Sequence, residues 1–142
     1  MAGLGYDPHI TLAVYDDVGA GELIDALSAT FVGEPPLRLT STHLAVFEQP
    51  QFVVWAAPQR SADLDRLHHA VHSRIPPALC DVHYRPEHWV AHCTLASNVA
   101  DHQRQNVQTA VAAGIEPFEA VFETADVVRF PPPTVLASVA LD

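Results

Sequence analysis

Two histidines and two threonines recur at one spacing, first in Pro8-His9-Ile10-Thr11-Leu12-Ala13 and again in Ala91-His92-Cys93-Thr94-Leu95-Ala96. Successive side chains of an extended strand alternate faces, so the histidine and threonine of each motif point the same way, about 7 Å apart along the backbone. Ile10 and Cys93, and then Leu12 and Leu95, point the other way, where burial is expected. An imidazole titrates near about 6.5, so two of them can hold opposite protonation states at neutral pH, one taking a proton while the other gives one. A hydroxyl on the same face can donate to an oxygen on which charge develops. This is an acid–base pair with two hydroxyl donors, and it requires no metal and no other cofactor.

The elements that must position these residues are themselves repeated. The offset that carries His9 onto His92 also carries Phe47 onto Phe130 and Pro50 onto Pro133, and one residue less carries Glu34-Pro35 onto Glu116-Pro117. His9 to Ala57 and His92 to Leu141 share one order of events: motif strand, polar break, helical stretch, Glu-Pro, then two apolar runs around proline. An internal duplication of this kind predicts two pseudo-symmetric lobes within one domain, residues 1–142, with a single cleft where the two motifs meet.

Residues His9 to Tyr15 alternate as a strand, with Tyr15 on the face of His9 and Thr11 and bordering the same cleft. Leu23, Ile24, Leu27 and Phe31 predict a helix over Glu22 to Phe31, ended by Gly33 and Pro35-Pro36. Leu37 to Phe47 and Phe52 to Ala57 read as an antiparallel pair. Ser61 is an N-cap for a helix to Ile75 with Leu64, Leu67, Val71 and Ile75 as its apolar stripe. A polar, aromatic loop from Ala78 to His88 leads into a strand over Trp89 to Ala96. A helix over Asp101 to Ala113, a long strand over Phe118 to Phe130, a rigid turn at Pro131-Pro132-Pro133 and a strand over Val135 to Leu141 complete the chain. The class is α+β, with mainly antiparallel sheets and flanking helices.

The paired His-x-Thr-Leu resembles the motif of the two-histidine (2H) phosphoesterase superfamily, which includes the bacterial RNA 2',3'-cyclic phosphodiesterases, or LigT-like 2'-5' RNA ligases. The flanks Gly5-Tyr6-Asp7-Pro8 and His83-Tyr84-Arg85-Pro86, the latter followed by Trp89-Val90-Ala91, are similar to a bacterial branch of it, and the resemblance runs from about Leu4 to the C-terminus. It implies a metal-independent phosphodiesterase acting on 2',3'-cyclic phosphates of nucleotides or RNA ends, with reversible ATP-independent 2'-5' ligation. His9 and His92 would be catalytic, Thr11 and Thr94 would bind phosphate, and symmetry leaves acid and base unassigned. Ala91 stands where many members have proline. Family members also carry a strand and a helix ahead of the first motif, for which this chain starts too late. That predicts either an exposed apolar face used for dimerisation or a truncated start.

At 142 residues, 49% hydrophobic and 17% charged, the chain is of globular composition. No apolar run reaches the roughly 18 residues needed to span a bilayer, and a signal peptide's basic start and apolar middle are lacking, so a soluble cytoplasmic protein is expected. Cys80 and Cys93 make no disulfide framework and are expected to be reduced. The formal charge is −10, with arginine but no lysine. Such a molecule repels long duplex nucleic acid and suits a small cyclic nucleotide or an RNA end. Without lysine a lysine-adenylate ligase mechanism is excluded.

Tyr84 and Arg85, just ahead of the second motif, are candidates to stack on a base or contact phosphate; the plainer expectation is a solvent-exposed loop pair. Arg129 is expected at the surface, Trp55 and Trp89 in the core or a cleft wall, and His43 as an ordinary strand residue. A rival constellation is His68-His69-Ala70-Val71-His72, since His68 and His72 have the spacing of two metal ligands on one helical turn, with Cys80, His83 and His88 following. No glutamate sits between them to act as base, and a solvated helix face is the expectation. The rival functions are therefore a phosphate- or RNA-end-binding module without turnover, and a zinc-dependent hydrolase.

Overall fold

The computed structural model describes residues 6–142, so Leu4 and Gly5, where the resemblance begins, lie outside the described residues. Its elements run α1 (Ala20–Phe31), β1 (Leu37–Phe47), β2 (Val53–Pro58), α2 (Ala62–Arg74), β3 (Cys93–Ala96), α3 (Asp101–Ala113), β4 (Phe118–Phe122), β5 (Thr124–Arg129) and β6 (Thr134–Ala140). Two short 3-10 turns, Pro77–Leu79 and Val82–Tyr84, punctuate the loop between α2 and β3. The class is α+β, and the pairings β1 with β2, β2 with β3 and β5 with β6 are antiparallel.

The chain forms two units. The first draws on the chain up to Ile10, on Leu39–Gln59 and on Ala91–Ala120. It holds most of a four-stranded sheet in the order β3-β2-β1-β4, together with α3. β2 is an inner strand of this sheet, and Val54, Trp55, Ala56 and Ala57 are all buried. A continuous apolar run, rather than alternation, is how a strand covered on both faces reads in sequence. Its register sets Trp55 opposite Ala45 on one side and opposite Thr94 on the other.

The second unit draws on Thr11–Arg38, Arg60–Val90 and Val121–Asp142. Its core is Leu27 and Phe31 from α1, Leu67 from α2 and Leu141, joined by Leu12, Leu37, Val71, Ala125, Val127, Ala137 and Val139. The spacings are those of helix faces and alternate strand positions, so α1 packs its stripe against one face of the β5-β6 hairpin and α2 packs against α1. Truncating Phe31 to alanine would cost about 3–5 kcal/mol. The Ser61 hydroxyl accepts from the Leu64 N–H at 3.2 Å, the N-cap expected for α2. Arg66 grips the Glu34 carboxylate with two hydrogen bonds, 2.9 and 2.7 Å, which hold that carboxyl below its usual value. Arg74 donates to Thr30 Oγ1 and to the Ala29 carbonyl near the end of α1.

Several sequence expectations are corrected. His9 to Tyr15 is not a continuous strand; its described pairing is two isolated antiparallel bridges, Ile10 with Cys93 and Tyr15 with Cys80. The second motif strand begins at Cys93 instead of Trp89. The long strand over Phe118 to Phe130 breaks at Glu123, whose carbonyl accepts from the Leu141 N–H. The break lets β4 join the four-stranded sheet while β5 pairs with β6. Leu95, expected to be buried, is 38% exposed. The histidine helix is not a solvated face at its two key positions, since His68 and His72 are only 2% and 5% exposed.

Candidate active site

The first unit brings His9, His92 and Thr94 together around the bridge between Ile10 and Cys93. In antiparallel register the residue before one partner faces the residue after the other, so His9 stands opposite Thr94. Thr94 is in turn opposite Trp55 on β2, which makes His9, Thr94 and Trp55 a row across three adjacent chain segments. His92, two residues before Thr94 on the same strand line, shares that face by alternation. Cys93 lies on the other face with Ala56 and Ile10 as its lateral neighbours.

Each imidazole is held by its surroundings. His9 Nδ1 is 2.8 Å from the Asp7 carbonyl. A carbonyl can only accept, so this nitrogen carries a proton and Nε2 is the nitrogen available for exchange. The Tyr6 ring lies 4.8 Å from the His9 ring, tilted by 56°. His92 meets two aromatic rings: Phe47 at 5.2 Å with planes at 89°, and Trp55 at 5.8 Å with planes at 69°. Phe47 and Trp55 stack on each other at 4.8 Å. A ring wedged against this pair has few rotamers left, and orientation of that kind reduces the entropy cost of a proton transfer.

Burial pushes the Cys93 thiol above its ordinary value, opposed by a hydrogen bond from the His9 backbone N–H. Cys93 therefore stays a thiol at neutral pH and is a poor nucleophile.

The remaining sequence candidates fall in the second unit. Thr11 follows Ile10 directly, and its carbonyl accepts from Trp89 Nε1 at 3.0 Å. Tyr15 is bridged to Cys80. Its hydroxyl is buried with no hydrogen-bond partner among the described residues, and burial pushes its pKa up to about 12, with Cys80 adding to the shift. The Tyr84 phenol is also raised by burial. Arg85 spends its guanidinium on the loop, with Nε donating to the Cys80 carbonyl at 3.0 Å and Nη2 to the Ala78 carbonyl at 3.2 Å. Both candidates thus take part in the build of the loop ahead of the second motif.

The His68 and His72 rings point Nε2 at each other, 3.1 Å apart. His68 Nε2 also lies 2.9 Å from the Tyr84 carbonyl, and His72 Nε2 lies 3.3 Å from the Leu12 carbonyl. Burial lowers the pKa of both, that of His68 to about 4. Cys80 is buried at its bridge, while His83 and His88 are exposed. Among the described residues no group of three His, Cys, Asp or Glu side chains is arranged to hold a metal ion. Nor is any described helix long and apolar enough to cross a membrane.

Sequence reasoning missed Phe47 and Trp55 beside His92, the Asp7 carbonyl on His9, and the Trp89 and His72 nitrogens at the Thr11 and Leu12 carbonyls. The positions of Phe47 and Trp55 on paired strands carried the first signal, but only the register, with its shift between Ser41 and His43, reveals it.

None of the curated proteins compared with this chain matches it. A solved structure titled as that of a phosphoesterase is similar to it with a TM-score of 0.58 and 21% identity, over 95% of this chain and 77% of that one. At that identity the likeness is one of fold. Residues 5–130 match the 2'-5' RNA ligase superfamily. With both His-x-Thr-Leu motifs and most of its length inside that match, the chain belongs to the 2'-5' RNA ligase superfamily, a group of two-histidine phosphoesterases.

Proposed function

We propose that the protein hydrolyses 2',3'-cyclic phosphates of nucleotides or RNA ends by acid–base catalysis between His9 and His92, with Thr11 and Thr94 on the phosphate. The observation that carries this reading is the bridge between Ile10 and Cys93, because its register pairs the histidine of one motif with the threonine of the other. One imidazole takes a proton from water as its oxygen bonds to phosphorus. The bond from phosphorus to one ribose oxygen breaks, and the other histidine gives that oxygen a proton. The threonine hydroxyls donate to non-bridging oxygens as charge gathers there. The same steps with a 5'-hydroxyl in place of water, and the ribose 3'-oxygen leaving with the proton, give 2'-5' ligation without ATP. A chain of formal charge −10 favours a small ligand or an RNA end over a long duplex.

Turnover of 2',3'-cyclic nucleotides in EDTA, by the parent and by His9→Ala and His92→Ala, tests the reading. The expected result is hydrolysis by the parent, a bell-shaped pH profile, and losses of about 10²–10⁴-fold in each variant. Binding of cyclic nucleotide by a folded parent that yields no product would replace the enzyme with a binding module. Activity abolished by the chelator would replace the histidine pair with metal chemistry.

A further inference from the structure

Trp89 and the buried histidines of α2 have no part in the chemistry just proposed, yet they converge on the first motif. Trp89 Nε1–H donates to the Thr11 carbonyl at 3.0 Å, and His72 Nε2 lies 3.3 Å from the carbonyl of the next residue, Leu12. The same His72 nitrogen stands 3.1 Å from His68 Nε2, so the two rings share the Leu12 and Tyr84 carbonyls, with at least one Nε2 carrying a proton. His68 Nε2 lies 2.9 Å from the Tyr84 carbonyl, and its ring stacks on the Trp89 indole, 3.9 Å between centroids and 6° between planes. A segment that lacks a strand ladder at these residues thus has two consecutive carbonyls facing side-chain nitrogens.

We propose that Trp89 and His72 are positioning residues that aim the Thr11 hydroxyl, an inference that rests on the reading of Thr11 as a phosphate-binding residue. Ile10 is held by its bridge and the Thr11 carbonyl by Trp89, so the peptide planes on both sides of Thr11 are fixed. Only χ1 is left, and in a β-branched residue that angle is stiff. The Leu12 side chain packs into the core of the second unit, which with His72 pins the chain just beyond. His68 acts one step back, by keeping the Trp89 ring in plane. The helix pair that reads as two metal ligands is, in this account, a clamp on a loop.

The test compares Trp89→Phe, which keeps a ring against His68 but loses the N–H, with His72→Leu and His72→Gln, the last retaining a donor near the position of Nε2. On a 2',3'-cyclic nucleotide, Trp89→Phe and His72→Leu should each lower kcat about tenfold with KM within about twofold, and His72→Gln should recover most of the loss. In a Thr11→Val background the same substitutions should cost no more than about twofold, because the group they aim is gone. Unchanged kcat in folded Trp89→Phe and His72→Leu, or losses that multiply onto Thr11→Val, would overturn the proposal. Should the parent turn over no cyclic phosphate, the functional reading fails on its own. Hydrogen exchange over residues 9–15 then decides the clamp: faster exchange in Trp89→Phe upholds it and unchanged exchange overturns it.

Discussion

His68 and Trp89 lie face to face, 6° from parallel with ring centroids 3.9 Å apart, so an ionisable ring is covered by an indole in the second unit. Burial is the main cause of its low pKa, about 4, and the hydrogen bond to the Tyr84 carbonyl only partly offsets it. In the unfolded chain the same imidazole titrates near about 6.5. On acidification the unfolded state therefore binds the proton first, and folding stability falls with it. Stability should be complete above about pH 6.5 and decline toward pH 4. Urea midpoints at pH 7.5 and pH 5 should show that decline in the parent, and a shallower one in His68→Gln. A parent midpoint that does not move between these pH values would mean the ring is not buried neutral.

Thr94 offers a cleaner probe of phosphate binding than the histidines, because valine has nearly its shape. Thr94 lies between Trp55 and His9 in register, so Thr94→Val should leave the strand pairing intact while removing one donor. A fall in kcat of about 10²-fold is expected, with Thr94→Ser close to the parent. An unchanged kcat in Thr94→Val would show that the hydroxyl takes no part, and a loss confined to Thr94→Ser would assign the effect to the methyl group and its packing.

The thiol of Cys93 should react slowly with iodoacetamide at pH 7.5, because burial raises its pKa and Ala56 and Ile10 flank it on both sides. Cys80, at 2% exposure, should be slower than an open cysteine for the same reason. Mass spectrometry of the folded protein would show little adduct over the time in which a denatured sample is fully alkylated. Rapid labelling at Cys93 with loss of turnover would place a reactive thiolate at the site.

How much of this could be read from the residues follows from what each feature depends on. The helices over Glu22 to Phe31, Ser61 to Ile75 and Asp101 to Ala113 lie within two residues of α1, α2 and α3 at every boundary, because apolar period, cap and proline are local signals. β1 was legible over its full length. The motif segment at His9 to Tyr15 alternates as a strand should, yet its carbonyls at Thr11 and Leu12 face side-chain nitrogens instead of a ladder, and nothing within the segment announces that. The break at Glu123 and the exposure of Leu95 are likewise decided by which strand lies alongside. The histidines of α2 were visible as a spacing, but the ring that covers His68 comes from Trp89, which is distant in sequence.

Each unit is stitched from three stretches that are far apart along the chain. A nascent chain emerging from the ribosome cannot close the first unit until Ala120 is out, nor the second until β6 and Leu141 follow. Cutting the gene between the two motifs should therefore release no folded half, and a split protein would regain structure only when both fragments are mixed. The long-range contacts make the two ends of the chain interdependent and slow to fold.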